Sequence, residues 1–368
     1  MSSQPDLNFH NPEVQDYMLG TMRFWLERGV DGFRLDVVNF YFHDRLLRDN
    51  PVLEPRPAIP AVRPFDMQLS IHQKTQPENL VFLQRLRALL DEYDARTTVG
   101  EVGELQRAIE TMGAYTSERR LHMAYSFEML GPVFTPAHFR TQIEMFFATA
   151  PEGWPCWAFS NHDVVRHVSR WAQPGQDRNH FAKLCAALLL SLEGSVCLYQ
   201  GEELGQTETD LNRDEIIDPQ GIAFWPDDKG RDGCRTPMTW QATAPNAGFS
   251  QANRTWLPIK ATQQANARDL QEANPASVLS FYKTMLALRR SRAALRTGRT
   301  RFLSSPEGVL AFRRGDGVLC VFNLSAEPRM FTIDGRFHMA LSNSASVTDT
   351  GLSLPPWACA IADLSAGD

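Results

Sequence analysis

The sequence predicts an α/β protein in which strands and helices alternate to form a parallel sheet, followed by a smaller antiparallel β domain. Three observations support this class. Short β-branched and aromatic runs alternate with helical stretches up to about Thr297, as in parallel sheets. Beyond that point, short strands are separated by turns such as Gly315-Asp316-Gly317. A chain of 368 residues is long enough for one large barrel and an appended domain.

The composition indicates a packed globular protein. Hydrophobic residues make up 43% and charged residues 22% of the chain, which excludes disordered and fibrous classes. A formal net charge of -6 argues against a nucleic-acid partner. The most apolar run, residues 185–192, is much shorter than the roughly 20 residues of a membrane span, and no signal segment is evident. We therefore predict a cytoplasmic protein with no membrane or nucleic-acid partner.

Cysteine and histidine spacing predicts neither a metal nor a cofactor. The six cysteines include no C-x-x-C pair, which is typical of reduced thiols buried as small apolar groups. The nine histidines lack H-x-x-x-H and H-E-x-x-H spacing. Walker, dinucleotide-binding and G-x-S-x-G motifs are also absent from the sequence, so it does not resemble an NTPase, a dehydrogenase or a serine hydrolase.

The first elements are a helix and a strand. Asn11-Pro12 provides a helix cap followed by proline at the first helical position, and the apolar face of this helix includes Met22 and Trp25. A strand over residues 32–38 follows, with Arg34 and Asp36 on one face. Charged side chains in an apolar strand indicate a functional role.

A long loop follows, and further elements continue the alternation. Prolines are too dense in residues 48–76 for a helix or a central strand. The remaining predicted helices are 78–93, 138–148 and 179–192, the strands 97–101, 123–127, 157–160 and 195–199, and the C-terminal strands 308–313, 318–324, 330–333 and 358–364. Another helix is predicted to open at Asn274-Pro275, with a solvated face containing Arg289, Arg290 and Arg292. We thus expect a first domain at 1–297 and an all-β domain at 298–368.

Three carboxylates stand near predicted strand ends: Asp36, Glu101 and Asp163. In a βα barrel, the C-terminal ends of the strands assemble the active site, so residues remote in sequence meet there. A retaining glycosidase needs an ionised carboxylate as nucleophile and a protonated one as acid. Arg34 is expected to keep Asp36 ionised, whereas Glu101 has no cation beside it in sequence and is expected to remain protonated. Taken singly, each acid is more typical of a turn, a solvated strand end or a helix cap.

Other polar and aromatic residues are assigned more ordinary roles. Alone, His162 is typical of a buried core histidine. The acidic residues from Glu202 and Glu203 to Asp218 are consistent with a substrate-facing loop or a solvated loop, and the solvated loop is favoured. The aromatic residues that could stack on sugars are mostly expected in the core; they are Trp154, Trp157, Phe159 and Trp225.

The order of several motifs resembles the α-amylase family of glycoside hydrolases, and most of all its bacterial α-glucosidase and oligo-1,6-glucosidase branch. The motifs are Gln4-Pro5-Asp6-Leu7-Asn8, Gly32-Phe33-Arg34-Leu35-Asp36, Gly100-Glu101-Val102-Gly103, Phe159-Ser160-Asn161-His162-Asp163 and Arg231-Asp232-Gly233-Cys234-Arg235-Thr236-Pro237-Met238. The resemblance extends over nearly the whole chain.

The resemblance implies a (β/α)8 TIM barrel and hydrolysis of terminal α-glucosidic bonds with retention. It implies a nucleophile at Asp36, an acid/base at Glu101 and a transition-state stabiliser at Asp163. Arg34 and His162 match sugar-binding positions, and Arg231 matches more weakly an arginine near the leaving group. The substrate is then a small α-glucoside or oligosaccharide, with the loop at 48–76 bordering the aglycone side.

The sequence also differs from the family pattern in one respect. The Gln4 motif follows the third barrel strand in the family, so we expect this chain to supply strands four to eight and to lack the metal site of the first βα loop. An open sheet of about five strands leaves edges and an apolar inner face unsealed, which predicts weak or absent activity for the chain alone. The alternatives are an α-glucosyltransferase with the same site, a truncated chain that needs the missing strands, or a non-catalytic scaffold. Val37 resembles the 1,6-cleaving members, yet 1,4 and 1,6 linkages both stay open.

Overall fold

The computed structural model describes residues 5–54, 62, 64–104 and 106–365. Gln4 of the first motif and Pro55, Pro57 and Pro60 of the proline-rich loop lie outside the described residues. The chain divides into two compact units. Unit 1 comprises Met1–Glu128 and Gln142–Cys156, and unit 2 comprises Met129–Thr141 and Trp157–Asp368.

The helices are α1 (Pro12–Leu26), α2 (Glu78–Leu90), α3 (Ala108–Thr116), α4 (Pro136–Thr149), α5 (His167–Trp171), α6 (Arg178–Ser191), α7 (Pro219–Phe224), α8 (Ala261–Gln264), α9 (Arg268–Glu272), α10 (Val278–Ser291) and α11 (Ala293–Thr297). The strands are β1 (Gly32–Leu35), β2 (Thr97–Val102), β3 (Met123–Ser126), β4 (Cys156–Trp157), β5 (Ser195–Val196), β6 (Thr300–Phe302), β7 (Val309–Arg314), β8 (Val318–Asn323), β9 (Arg329–Thr332), β10 (Phe337–Asn343), β11 (Ser346–Thr348), β12 (Gly351–Leu354) and β13 (Cys359–Leu364).

Unit 1 contains a parallel sheet in the order β1-β2-β3. This confirms the expected parallel alternation for these strands. Before it, α1 begins as predicted, because the Asn11 side chain accepts from the Glu13 N–H and Pro12 occupies the first turn. Met22 is buried on α1, whereas Trp25, expected on the same apolar face, is 48% exposed.

The strand expected over residues 32–38 is wrong in its second half. β1 ends at Leu35, and Val37 adopts a left-handed conformation (φ 34°) that precedes a short 3₁₀ helix. This turn buries Val38 and leaves Val37 partly exposed. Asp36 therefore lies just beyond the strand end, where the chain changes direction.

In unit 2, the C-terminal part is antiparallel, as predicted. A five-stranded sheet has the order β10-β13-β8-β7-β6, and a three-stranded sheet has the order β11-β12-β9. Apolar side chains from both sheets, including Val309, Val321, Phe331 and Leu352, form one buried cluster. The domain boundary expected at residue 297 stays a prediction.

Two expectations about α10 and its surroundings are wrong. The helix begins at Val278 rather than at Asn274-Pro275, because the Ser277 hydroxyl accepts from the Ser280 N–H and caps it. Arg289 is not part of a solvated face. Its guanidinium donates to the carbonyls of Leu190 (2.5 Å), Leu192 (3.0 Å) and Gly194 (2.6 Å), which lie at and beyond the end of α6. A helix C-terminus presents unpaired carbonyls, so it attracts such a cation.

Candidate active site

In unit 1, the ends of β1 and β2 bring two of the predicted acids into one group. The parallel register pairs Leu35 with Gly100, so Asp36 and Glu101 follow neighbouring positions at the C-terminal ends of their strands. The Asp36 side chain is 71% exposed, whereas that of Glu101 is 2% exposed. One carboxylate thus faces solvent and the other is enclosed.

Arg34 contacts both carboxylates. Its Nη1 forms an ion pair with Asp36 Oδ1, and its Nη2 lies 2.9 Å from Glu101 Oε2. The expectation that Glu101 lacks an adjacent cation is therefore wrong. The cation comes from the neighbouring strand, which inspection of nearby sequence positions does not reveal.

Two further donors fix the Glu101 carboxyl group. The Tyr125 hydroxyl donates to Oε1 (2.8 Å), and the backbone N–H of Val37 donates to Oε2 (3.1 Å). Arg34 Nη2 in turn donates to the Tyr125 oxygen (2.9 Å). Burial, and then the nearby Glu101 charge, raise the pKa of Tyr125, so its hydroxyl stays protonated. Sequence reasoning missed Tyr125, although the pairing of β2 with β3 places it opposite Glu101.

The segments that follow these two acids are tied to the end of the proline-rich loop. Asn39 Oδ1 accepts from the Gly103 N–H (2.9 Å), and Lys74 Nζ donates to the Gly103 carbonyl (2.7 Å). Thr75 Oγ1 donates to Glu104 Oε2 (2.9 Å), and Lys74 lies 3.3 Å from Glu104 Oε1. Because Lys74 is only 2% exposed, this is an internal anchor rather than a surface contact.

In unit 2, the third predicted acid lies among arginines. Asp163 Oδ1 accepts from Arg231 Nη1 (3.1 Å) and from Arg235 Nη2 (2.8 Å). Arg235 also donates to the backbone carbonyl of His162 (2.6 Å), and the His162 ring lies 3.4 Å from Asp163 Oδ2. The His162 side chain is 47% exposed, so the alternative of a buried core histidine is wrong. Sequence reasoning did not single out Arg235, although it stands in the same motif as Arg231.

Arg231 is held from its other side by Asp218. The Arg231 Nε and backbone N–H both donate to Asp218 Oδ2, at 3.0 and 2.8 Å. The hydrogen bond to Asp218 raises the pKa of Arg231, which keeps the guanidinium charged. Asp218 is 5% exposed, so the solvated loop expected here is wrong at this position.

The same expectation is wrong for Glu202, which is 2% exposed. Burial raises its pKa to about 8. Its Oε2 accepts from the Tyr199 N–H (2.8 Å), and its Oε1 lies 3.8 Å from Nδ1 of His167. Burial lowers the pKa of His167 to about 3, and its Nδ1 lies 2.9 Å from the hydroxyl of Ser160. Both titratable groups are therefore neutral near pH 7.

Two of the aromatic residues expected in the core are buried. Trp157 is 2% and Phe159 is 0% exposed. None of the helices within the described residues is both long and apolar enough to cross a membrane. Over the same residues, no cluster of three or more His, Cys, Asp or Glu side chains is arranged for a metal ion.

The structure thus brings together Arg34, Asp36 and Glu101 in unit 1, and His162, Asp163 and Arg231 in unit 2. Their convergence around one sugar stays a prediction.

Two family models match successive segments of the chain. Residues 1–298 match the family "Alpha amylase, catalytic domain", and residues 296–361 match a domain family of unknown function, DUF3459. Among solved structures, the chain is similar to an alpha-glucosyl transfer enzyme, XgtA, with a TM-score of 0.93 and 44% identity over 99% of this chain and 70% of that one. It is also similar to the trehalulose synthase MutB from Pseudomonas mesoacidophila MX-45, with a TM-score of 0.82 and 27% identity over 98% and 70% of the two chains.

Curated relatives give the same assignment. The chain is 48% identical to a protein named "Probable alpha-glucosidase" from Rhizobium meliloti (strain 1021), over 99% of this chain and 68% of the relative. It is 31% identical to the oligo-1,6-glucosidase of Parageobacillus thermoglucosidasius, over 78% of this chain and 55% of the relative. It therefore spans less than two thirds of the latter protein. The catalytic-domain match and these identities show that the chain belongs to the alpha-amylase family of glycoside hydrolases.

Proposed function

We propose that the chain is a retaining α-glucosidase that hydrolyses terminal α-glucosidic bonds of small oligosaccharides. The observation that carries this proposal is the pair of carboxylates on Arg34, one exposed (Asp36) and one buried (Glu101). An exposed, arginine-paired carboxylate suits a nucleophile, and an enclosed carboxyl held by hydrogen bonds suits an acid/base. The identity to a protein named as an alpha-glucosidase supports the same reaction.

In the proposed mechanism, Asp36 attacks the anomeric carbon while Glu101 gives its proton to the leaving glycosidic oxygen. The glucosyl group is then bonded to the Asp36 carboxylate as a β-linked ester. Glu101, now ionised, takes a proton from water, which attacks the same carbon and releases α-glucose and free Asp36. We assign Asp163 to hydrogen-bond the distorted sugar, with His162, Arg34 and Arg231 binding the substrate.

We also propose that β1 to β5 correspond to strands four to eight of a (β/α)8 barrel. The match to the catalytic domain family supports this correspondence. The cytoplasmic location likewise stays a prediction, which cell fractionation tests.

The test is release of p-nitrophenol from p-nitrophenyl α-glucoside by the purified chain. Asp36→Asn is expected to lower kcat/KM at least about 1,000-fold, because it removes the nucleophile. The matched control is Asp31→Asn, whose side chain lies just before β1, is 94% exposed and pairs with Arg96 at 3.5 Å. Equal rates for the wild-type chain and Asp36→Asn contradict the proposal. α-Glucose as the first product, seen by NMR, is expected for retention, and β-glucose contradicts it.

An α-glucosyltransferase with the same residues is the second candidate. The similarity to a structure described as an alpha-glucosyl transfer enzyme favours it. The two reactions differ only in whether water or an alcohol attacks the glucosyl ester. The ratio of glucose to p-nitrophenol decides: a ratio near one indicates hydrolysis, and a ratio that falls as an alcohol acceptor is added indicates transfer. Maltose and isomaltose as substrates compare the 1,4 and 1,6 linkages.

A further inference from the structure

Tyr125 is a buried tyrosine whose hydroxyl lies between Arg34 and Glu101. It lies on β3, directly opposite Glu101 in the parallel register of β2 and β3, and is 6% exposed. Residues paired in this way project to the same face of a sheet, so the two side chains are neighbours. The contact is therefore made between two paired strands of the sheet in unit 1 and does not depend on a loop.

The hydroxyl forms the middle of a hydrogen-bonded chain. Arg34 Nη2 donates to the Tyr125 oxygen (2.9 Å), and the Tyr125 O–H donates to Glu101 Oε1 (2.8 Å). Donation from the arginine polarises the phenol and strengthens its own donation to the carboxylate. The contacts to Glu101 Oε2 come from different groups, namely Arg34 Nη2 (2.9 Å) and the Val37 N–H (3.1 Å).

We propose that Tyr125 is a positioning residue for Glu101: its hydroxyl fixes the orientation of the carboxyl group that exchanges the proton. The inference rests on the proposed function, in which Glu101 is the acid/base. Tyr125 keeps its own proton throughout, and the proton that reaches the leaving oxygen is the one carried by Glu101. A hydrogen bond donated to a carboxylate favours its ionised form, so the phenol opposes protonation of Glu101.

Other charged and titratable groups face this pair. Arg34 and Asp36 come from β1 and its end, and Tyr41, from the following segment, is close enough to the Asp36 charge to be influenced by it. Replacing Tyr125 by phenylalanine keeps these groups and removes a single oxygen, together with its hydrogen bonds to Glu101 Oε1 and Arg34 Nη2. A change in the titration of Glu101 is therefore attributable to the loss of that oxygen.

The experiment follows Glu101 directly, by NMR titration of its side-chain carboxyl carbon in the isotope-labelled chain, with Glu101→Gln used to assign the signal. In Tyr125→Phe the midpoint is expected to rise by about one pH unit, which corresponds to loss of a hydrogen bond to a charged group. Where turnover is measurable, the alkaline limb of the kcat/KM profile moves by the same amount. We also expect kcat to fall about tenfold while KM stays within about twofold.

Tyr115→Phe is the matched control. Tyr115 is also a buried tyrosine of unit 1, and its oxygen accepts from Asn79 Nδ2 (2.9 Å). This variant loses the same atom, so a general effect of the deletion appears in both variants. The Glu101 midpoint is expected to stay within about 0.2 pH unit of the wild-type value in Tyr115→Phe.

If Tyr125→Phe does not fold, 3-fluorotyrosine placed at position 125 keeps the contact with a more acidic phenol, and the Glu101 midpoint is expected to fall. A midpoint unchanged in either substituted chain, or changed equally in Tyr115→Phe, overturns the inference. The titration is independent of turnover, so it separates the two ideas. If the Glu101 midpoint shifts in Tyr125→Phe but the wild-type chain shows no turnover, the catalytic role of Glu101 is contradicted and its contact with Tyr125 is established. If turnover is normal and the midpoint does not shift, only the role of Tyr125 is contradicted.

Discussion

Glu202 has a buried carboxyl group in unit 2, next to His167. Together these two groups make the stability of the protein depend on pH. We predict that Glu202→Gln reverses the sign of this combined dependence. In the folded protein, burial raises the pKa of Glu202 to about 8, from its usual value of 4.5. Between these two values the folded chain holds a proton that the unfolded chain has released. Stability therefore falls as the pH rises through this range.

His167 acts in the opposite direction. Burial lowers its pKa to about 3, from 6.5, so below pH 6.5 the unfolded chain binds a proton that the folded chain does not. Its contribution rises with pH up to about 6.5 and is constant above it. From about pH 5 to pH 8, Glu202 lowers the free energy of unfolding by a few kcal/mol, and His167 raises it by a smaller amount, because its contribution ends near pH 6.5.

Glutamine resembles the protonated carboxyl group in shape and is neutral at every pH, so Glu202→Gln removes the larger and falling contribution. Its oxygen can still accept from the Tyr199 N–H, which Glu202 Oε2 binds at 2.8 Å. The stability of the variant relative to the wild-type chain is therefore expected to increase by a few kcal/mol between about pH 5 and pH 8. The absolute offset between the two proteins depends on how well the new amide packs.

The assay is urea denaturation followed by tryptophan fluorescence at several pH values, with the difference between variant and wild type compared at each pH. Glu327→Gln is the matched control, because it makes the same change at an exposed carboxyl group of unit 2. We expect the difference for this control to vary by less than about 1 kcal/mol over the same range. A Glu202→Gln difference that is constant with pH refutes the assigned protonation of Glu202.

Three other residues lead to stability predictions that the same denaturation assay checks. Arg314 is fully buried and donates to the carbonyls of Ser191 and Gly298, so Arg314→Met is expected to destabilise the protein by about 3 kcal/mol, and a neutral result contradicts this. Gly20→Ala is expected to stabilise α1 by about 0.5 to 1 kcal/mol, because a Cβ there meets no atom within 4 Å. Gly32→Ala is expected to cost about 2 kcal/mol or more, because its Cβ would lie 2.3 Å from the Thr97 carbonyl oxygen; equal effects of the two alanines contradict the packing argument.

The parts of the site predicted from sequence are those that local chemistry determines. Asp36 and Glu101 stand in or after short β-rich runs, and the alternation of strands with helices indicates that such ends meet at one edge of a parallel sheet. The structure pairs Asp36 with Arg34, as this reasoning predicts, and brings the same guanidinium to Glu101, which the reasoning does not predict. The turn at Val37 was not predictable in the same way, because a left-handed conformation is disfavoured for a β-branched residue and is imposed by tertiary packing.

The contacts that sequence reasoning missed all depend on register or burial. Glu101 receives its cation from Arg34 and its hydroxyl donor from Tyr125, on the two neighbouring strands of the sheet. Charge patterning treats Glu202 and Arg289 as solvated because charged side chains rarely enter a core without partners. In the folded protein, a backbone N–H and the Tyr282 hydroxyl donate to Glu202, and three backbone carbonyls accept from Arg289. Only the fold brings these partners together.

The charge balance around Arg34 connects this geometry to the proposed chemistry. One guanidinium contacts two carboxyl groups, so the trio of Arg34, Asp36 and Glu101 is neutral when Glu101 is protonated and carries one negative charge when it is not. An oxocarbenium-like transition state gains positive charge as the leaving oxygen takes the proton from Glu101. In the proposed step, the trio gains negative charge as Glu101 releases its proton and loses it again as the Asp36 carboxylate forms the glucosyl ester, so the trio is neutral both before and after the step. Because Arg34 stays paired with both groups, Asp36 need not lose its partner at that moment, and this electrostatic stabilisation requires little reorganisation of the site.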